Sequence, residues 1–275
     1  MKSRINAVVV SNVGNRPNQE DNFLLGKHIC LESEDKKQME ENPQFIFVRE
    51  NEQENMLCAI ADGMGGHAAG EEASRQTIAL LDSFYDDFVL QMHNDTNIQH
   101  YFDRINETVY RNSLENKALR GMGSTLCASA VTDGEVLFVC AGDSRAYLYD
   151  GKLLQVSEDH CEGNRLKKLG ILNEEEVRHF PARKALYKYV GYDGIMRAEL
   201  IRRSISVQSK PCYILLCSDG LTDQVSDMEI EEVLDCGSKS VKEKAVNLIK
   251  TAMGKNNTAK DNVTMILMEI TRSES

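Results

Sequence analysis

The chain has 275 residues, 41% of them hydrophobic and 27% charged, a composition typical of soluble globular proteins with a sizeable core. Its net charge of −11 disfavours unspecific binding to nucleic acid or to a membrane surface. No apolar run approaches the length of a membrane span, and the apolar stretch near the N-terminus is too short for the core of a signal peptide. We therefore expect a cytoplasmic, monomeric protein that binds neither nucleic acid nor membrane.

The eight cysteines do not form the patterns of a disulfide framework or a zinc site. The sequence contains no CxxC pair, and Cys58, Cys127, Cys140 and Cys217 lie inside apolar runs, where cysteine behaves as a small hydrophobic residue. Reduced, mostly structural thiols are expected, which suits a cytoplasmic location.

Hydrophobic patterning predicts grouped strands with helices inserted in blocks. The first strands are predicted over 4–12, 22–29, 44–49 and 56–61, with a loop or short helix over 32–42. Two helices follow over 66–91 and 96–118, and then three strands over 124–132, 135–141 and 145–149. After an irregular segment with a short helix over 162–170 come strands over 199–207 and 212–218, helices over 226–235 and 239–253, and a strand over 263–270. This order favours an α+β fold in one domain, 1–275, rather than repeating βαβ units.

Four aspartates lie at the ends of the predicted strands. Asp62, Asp143 and Asp219 each follow an apolar run, and Asp261-Asn262 precedes the last strand. Antiparallel neighbours place the end of one strand beside the start of the next, so these carboxylates are predicted to meet at one sheet edge. Crowded, partly buried carboxylates repel one another strongly, and divalent cations would relieve that repulsion. The pattern predicts a metal site.

Two further motifs add oxygen ligands and a cation. Asp62-Gly63-Met64-Gly65-Gly66-His67 is a glycine-rich turn, and the segment from Arg16 to Glu20-Asp21 places a guanidinium beside two carboxylates. Taken alone, the first motif is equally typical of a strand-to-helix turn, and the second is more often a salt-bridged surface turn. Together they form an all-oxygen ligand set, which favours Mg²⁺ or Mn²⁺ over zinc or copper.

The motifs, taken in order, resemble the metal-dependent Ser/Thr protein phosphatases of the type-2C family, in particular their bacterial branch. The matching stretches are SNVGNRPNQEDN, IADGMGGHAAGEEAS, GMGSTLCASAV, AGDSRAYLY, SEDH, LLCSDGLTDQVSD and DNVTMIL. They extend over most of the chain, from about residue 11 to 267. The resemblance implies a central antiparallel β-sandwich flanked by helices on both sides, with the metal site at one edge.

The resemblance also implies a role for each matching residue. Asp62 would bridge two Mn²⁺ or Mg²⁺ ions, with the Gly63 carbonyl on one of them. Asp219 and Asp261 would complete the other metal, and Glu20 and Asp21 would bind the metal on the Gly63 side. Asp143 would hold a third ion with Asp219. Arg16 would bind the substrate phosphate, and Asn262 would orient Asp261 or a metal-bound water.

The chain departs from the eukaryotic pattern after the Asp-Gly pair. Met64 stands where those members carry a histidine proposed as the general acid, so the leaving oxygen must receive its proton from another group. A metal-bound water is the favoured donor. His67 and His160 are supporting candidates, although each is more typical of a structural residue.

The resemblance also bears on two longer segments of the chain. The resemblance implies that residues 161–197 correspond to the mobile flap of bacterial members, which lies beside the metal site. Residues 161–210 carry 11 Lys/Arg against 6 Asp/Glu. Residues 30–55 are longer than the equivalent link and are interpreted as an added hairpin or loop.

The implied activity is hydrolysis of phosphoserine and phosphothreonine in proteins by a water bridging the two metals. The expected partners are phosphorylated proteins, among them a cognate bacterial Ser/Thr kinase. Two alternatives stay open at this point. One is a metal-dependent phosphatase of small phosphoesters, and the other is a non-catalytic pseudophosphatase that binds phosphoproteins.

Overall fold

The structure, a computed structural model, describes residues 3–65, 68–132, 134–205, 211–255 and 261–272. It contains two antiparallel sheets packed face to face, with helices on both outer faces. The α+β fold class and the flanked β-sandwich are as expected. Within the described ranges, no helix is long and apolar enough to span a membrane.

The first sheet has the strand order β3-β1-β12-β11-β8-β9. Its members are β1 (Ser3–Asn12), β3 (Phe47–Gln53), β8 (Arg145–Tyr149), β9 (Leu153–Gln155), β11 (Cys212–Cys217) and β12 (Val263–Arg272). The second sheet has the order β10-β7-β6-β4-β2, with β5 paired to β4. Its members are β2 (Asp21–Leu25), β4 (Met56–Met64), β5 (Gly123–Ser124), β6 (Leu126–Thr132), β7 (Glu135–Ala141) and β10 (Glu199–Ser204).

The helices pack on the two outer faces of the sandwich or lie in its connections. Those before β5 are α1 (Ser33–Glu41), α2 (Ala68–Ser83), α3 (Tyr85–Leu90) and α4 (Asp95–Glu115), followed by a 3₁₀ turn at Lys117–Leu119. The later helices are α5 (Glu162–Lys168), α6 (Glu174–His179), α7 (Asp219–Thr222), α8 (Asp227–Asp235) and α9 (Val241–Gly254).

Strands with both faces covered explain the continuous apolar runs in the sequence. In β4, Cys58 and Ile60 face the core between the sheets, whereas Leu57 and Ala59 pack against the α2–α4 layer. In β1, Val9 faces the inner core and Val8 faces the α8–α9 layer. Because successive side chains point to opposite faces, each buried strand fills two apolar layers.

All eight cysteines are free, and four of those in the strands are fully buried, as expected for structural thiols.

Two predicted elements differ from the observed ones. The single helix expected over 66–91 is two helices, because the chain leaves the helical path at Phe84, with φ −102° and ψ 7°. The Phe84 ring stacks on Tyr101 of α4 at 5.1 Å, so the apolar periodicity continues across the break. Residues 30–55, interpreted as an added hairpin or loop, contain α1 within the short helix or loop expected over 32–42, and their strand β3 forms no hairpin with β4 but pairs with β1 at the edge of the other sheet.

A buried lysine of helix α9 caps the C-terminal end of helix α8, and replacing this lysine should destabilise the fold. Lys244 of α9 is 1% exposed, and its Nζ donates to the carbonyls of Leu234 and Cys236 at the end of α8. Such terminal carbonyls have no partner within their own helix. Lys244→Met should therefore lower the free energy of unfolding by about 2 kcal/mol, because buried acceptors lose their donor.

Urea unfolding of the metal-free protein measures this effect. Lys250→Met is the matched control, because Lys250 is an exposed lysine of the same helix. Equal stability of the two variants would show that the Lys244 contacts do not support α8.

Candidate metal centre

One edge of the sandwich holds a cavity of about 400 Å³. The residues of the predicted site that line it are Arg16, Glu20, Asp62, Gly63, Asp143, Asp219, Asp261 and Asn262. Asp21 lies behind the cavity wall, 1% exposed. The structure thus brings together the residues that the sequence analysis assigned to metal and phosphate.

Strand pairing explains why residues so distant in sequence meet here. Asp21, the first residue of β2, stands directly opposite Asp62 near the end of β4. The end of β11 pairs with the start of β12, Cys217 opposite Met265, so that Asp219 and Asp261 follow and precede neighbouring strands. The register of both sheets therefore directs the acidic residues to the same edge.

The backbone of Asp62 is fixed by the strand start at 123–125. Thr125 Oγ1 accepts from the Asp62 N–H at 2.9 Å, and Ser124 Oγ donates to the Asp62 carbonyl at 3.0 Å. Ser144, beside Asp143, bonds the same Thr125 hydroxyl at 2.8 Å. These hydroxyls hold two of the acidic positions in a fixed relation.

The carboxylates raise one another's pKa values. Burial is the main cause for Asp62, whose pKa lies well above its ordinary range, and the nearby charges of Asp21 and Asp219 add to it. Burial also raises the pKa of Asp21 to about 7 and that of Asp143 to about 7. The pKa of Asp219 is raised by burial, although Lys184 opposes the shift. Negative charge at this edge is poorly compensated.

Because the pKa values of these carboxyl groups are raised, the stability of the metal-free protein should decrease as pH rises. A carboxyl whose pKa is raised on folding stabilises the fold while protonated, and this contribution is lost as pH rises through the folded-state value. Because the pKa values of Asp21 and Asp143 are raised from 3.8 to about 7 on folding, the stability of the protein in chelator should fall as pH rises from about 4 to about 7. Thermal unfolding across this range measures the effect, and Asp143→Asn should flatten the slope. A metal-free protein that becomes more stable from about pH 4 to pH 7 would contradict this.

The oxygen atoms at this edge are of the type that binds hard divalent cations. Asp21 Oδ1 is buried and has no hydrogen-bond partner among the described residues, so it keeps an unused acceptor. A side chain built on Gly70 would meet Glu20 Oε2 at 2.6 Å and the Gly63 carbonyl oxygen at 2.9 Å, which shows that these two oxygens approach the same point. Carboxylate and carbonyl oxygens are the ligands of Mg²⁺ and Mn²⁺.

Two basic side chains occupy positions beside these acids. Arg16 Nη2 contacts Asp261 Oδ2 at 2.7 Å, and Lys184 Nζ contacts Asp219 Oδ2 at 2.7 Å and also Asp223. Within the described ranges, no three His, Cys, Asp or Glu side chains already have the spacing of a metal cage. In this structure, protein cations balance part of the charge that bound ions would neutralise.

Gly63 has no room for a side chain. A Cβ there would lie 2.0 Å from the Gly70 carbonyl oxygen and 2.9 Å from that of Glu20. Gly63→Ala should therefore push β4 away from α2 and cost about 2 kcal/mol of stability. Gly237→Ala is the control, since a Cβ there meets nothing within 4 Å. Urea unfolding of both variants measures the difference, and wild-type stability of Gly63→Ala would contradict the close approach.

Asn262, just before β12, connects the Arg16–Asp21 loop to the start of that strand through hydrogen bonds. Its Oδ1 accepts from the Glu20 N–H at 2.8 Å, and its Nδ2 donates to the carbonyls of Val13 at 2.8 Å and Asn18 at 3.0 Å. Its own N–H donates to Asp261 Oδ1 at 2.9 Å. The structure therefore adds a loop-holding contact to the expected contact with Asp261.

Of the two candidate histidines, His160 lies away from the cavity lining, and His67 lies outside the described residues. His160 is 3% exposed, and its Nδ1 accepts from the Gly142 N–H at 3.2 Å. Burial lowers the pKa of His160 to about 4, so the ring is neutral and supports the turn that carries Asp143. His67 lies outside the described residues, and its predicted role stays a prediction.

Comparison with known proteins identifies the family of the chain. A family model described as protein phosphatase 2C matches residues 44–255. The chain belongs to the protein phosphatase 2C family.

Bacterial phosphatases are among its relatives in that family. The Serine/threonine phosphatase stp of Listeria monocytogenes serotype 4b (strain F2365) is 31% identical over 226 residues, which cover 81% of this chain and 87% of the relative. Protein phosphatase PhpP of Streptococcus pneumoniae is 28% identical over 237 residues, covering 85% of this chain and 94% of PhpP.

Solved structures share the fold over almost the whole chain. The S. agalactiae serine/threonine phosphatase superposes with a TM-score of 0.79 at 25% identity, covering 96% of this chain and 98% of that one. The catalytic domain of the serine threonine protein phosphatase PstP, in complex with 2 manganese ions, superposes with a TM-score of 0.70 at 29% identity, covering 98% of this chain and 100% of that one.

Lys184 is a residue of this protein phosphatase 2C site that the sequence analysis did not name. It lies in the predicted flap and lines both the central cavity and a second cavity of about 240 Å³ beneath α5 and α6. Its acidic partners raise its pKa, so it is charged at neutral pH. The positive balance of the flap was the available signal, but nothing in that balance indicates which lysine reaches Asp219.

Proposed function

We propose that this protein hydrolyses phosphoserine and phosphothreonine in proteins with the help of bound Mn²⁺ or Mg²⁺. The observation that carries the proposal is the cavity where Asp62, Asp219 and Asp261 meet beside the exposed guanidinium of Arg16. Membership of the protein phosphatase 2C family and the manganese complex of PstP support it.

The proposed ligands fall into two groups around Asp62, which would be shared by two ions. Gly63 O, Glu20 and Asp21 would serve one ion, and Asp219 and Asp261 the other. Asp143 would add a third, outer position together with Asp219. When bound, such ions supply an activated water and neutralise charge on the phosphoryl oxygens.

The protein's own residues would bind and orient the phosphate. Arg16 lies at the cavity with 58% of its side chain exposed, so its guanidinium can exchange Asp261 for a phosphate. A planar guanidinium can give two parallel hydrogen bonds to phosphate oxygens. Asn262 and Thr125 would keep the loop and Asp62 in place while the charge on the phosphate changes.

The expected partners are phosphorylated proteins, and we propose that the activity opposes a bacterial Ser/Thr kinase. The names of the Listeria and streptococcal relatives support the substrate class. We also propose a cytoplasmic location, since eight free cysteines suit a reducing compartment.

A comparison of substrates tests the proposal. Purified protein with Mn²⁺ should release phosphate from phosphothreonine and phosphoserine peptides with much higher kcat/KM than from small phosphoesters of sugars or nucleosides. A preference for the small phosphoesters would replace the proposal by a metabolite phosphatase. Binding of phosphopeptide without turnover would indicate a pseudophosphatase.

A further inference from the structure

Helix α1 lies directly behind the loop that carries Arg16, Glu20 and Asp21. It belongs to residues 30–55, the segment for which the sequence suggested no role. One face of the helix is buried, with Lys36 at 5% and Met39 at 0% exposure. A buried lysine is rare unless it is paired, and a helix of nine residues with a single buried apolar side chain gains little from the hydrophobic effect alone. Its polar contacts therefore need an explanation.

The first of these contacts holds the loop. Glu40 Oε1 accepts from the backbone N–H of Gln19 at 2.9 Å. Gln19 is fully buried, and its side-chain amide donates to Ser11 Oγ of β1 at 2.7 Å. Gln19 directly precedes Glu20 and Asp21, so fixing its backbone limits where both carboxylates can point.

The second contact holds helix α2. Lys36 Nζ pairs with Glu71 Oε1 at 3.2 Å. Glu71 follows Gly70, the residue at which the Glu20 carboxylate and the Gly63 carbonyl converge. In addition, Ser74 Oγ donates to the Glu20 carbonyl at 2.5 Å. Helix α1 thus ties the loop to the same helix that supports the opposite side of the proposed metal ligands.

We propose that α1 is a positioning element for this loop, with Glu40 and Lys36 as its positioning residues. The inference rests on the proposed function, because it concerns residues that would bind metal and phosphate. Without Glu40, the Gln19 N–H loses its acceptor and the loop gains freedom that ion binding must then remove. Partners of this kind commonly change metal affinity by about 10- to 100-fold when they are removed.

Calorimetric titration of chelator-treated protein with Mn²⁺, together with phosphopeptide kinetics, tests the proposal. Glu40→Ala should raise the Kd for Mn²⁺ about tenfold, while kcat at saturating Mn²⁺ stays within about twofold of wild type. Glu40→Gln keeps an oxygen acceptor for the Gln19 N–H and should restore the wild-type Kd. Glu41→Ala is the matched control, since the neighbouring Glu41 is exposed and pairs only weakly with Lys37 at 3.8 Å.

Lys36→Met provides a second variant in case Glu40→Ala does not fold, because methionine keeps most of the buried volume and loses the pair with Glu71. Lys36→Met, like Glu40→Ala, should raise the Kd for Mn²⁺. Wild-type Mn²⁺ affinity in both Glu40→Ala and Lys36→Met, or equal weakening in Glu41→Ala, would overturn the positioning role. Failure of the wild-type protein to bind Mn²⁺ would instead overturn the proposed function.

Discussion

Asp219→Asn should lower kcat for a phosphothreonine peptide about 10³-fold in saturating Mn²⁺, at the upper end of the usual cost of removing one electrostatic partner. Asp219 is the first residue of α7, separated from the end of β11 by Ser218, and it lines the cavity. Asparagine has nearly the same shape but lacks the negative charge that an ion would require. Steady-state kinetics at several Mn²⁺ concentrations measures the loss.

The same substitution should make the metal-free protein more stable. The charge of Asp219 raises the pKa values of Asp62, Asp21 and Asp143, so its removal relieves repulsion at all three positions. We expect the free energy of unfolding in chelator to rise by roughly 1 kcal/mol, the equivalent of about one pKa unit. Opposite effects on activity and stability are typical of a site that stores electrostatic strain for function.

Asp223→Asn is the matched control for both measurements. Asp223 shares Lys184 with Asp219, but its side chain is 43% exposed and does not line the central cavity. This variant should keep its activity and gain no stability. Substantial turnover by Asp219→Asn, or equal losses in both variants, would contradict the role of Asp219.

Arg16→Ala should lower kcat/KM for the same peptide about 10²-fold, because the phosphate loses a charged donor in the cavity. Arg16→Lys should recover only a small part of the lost kcat/KM, since an ammonium group cannot reproduce the two parallel hydrogen bonds of the guanidinium. Stability should hardly change, because the pair of Arg16 with Asp261 is exposed and such pairs contribute little.

Arg4→Ala is the control for Arg16. Arg4 forms an exposed pair with Glu52 at 2.7 Å, with 60% of its side chain exposed, and it does not line the central cavity. Its replacement should leave kcat/KM unchanged. If Arg16→Ala behaves like Arg4→Ala, Arg16 does not bind the phosphate.

The acidic positions were predictable because sheet geometry is regular. An aspartate at the end of a buried strand must emerge at the sheet edge, and antiparallel pairing brings such edges together. The structure places Asp21 opposite Asp62, and it places Asp219 just after β11 and Asp261 just before the neighbouring strand β12. Residues 161–197 do contain a short helix as expected, but α6 was missed, although Asn173 and Glu176 form a capping box that the sequence displays.

The supporting contacts were not predictable because they depend on tertiary packing. Lys184 reaches Asp219 across 35 positions of sequence, and Glu40 reaches Gln19 across 21. Each contact joins a surface segment to a loop of the sheet edge, where neither periodicity nor turn signals restrict the partner. The short helix α1 carries too few apolar residues for its buried face to be recognised from the pattern.

The most direct test of the metal centre is phosphate release from a phosphothreonine peptide by chelator-treated protein, before and after addition of Mn²⁺ or Mg²⁺. The carboxylates of Asp62, Asp219 and Asp261 can promote hydrolysis only if they hold cations. Activity is therefore expected only after a divalent ion is restored. Undiminished hydrolysis in chelator would contradict the metal-dependent mechanism.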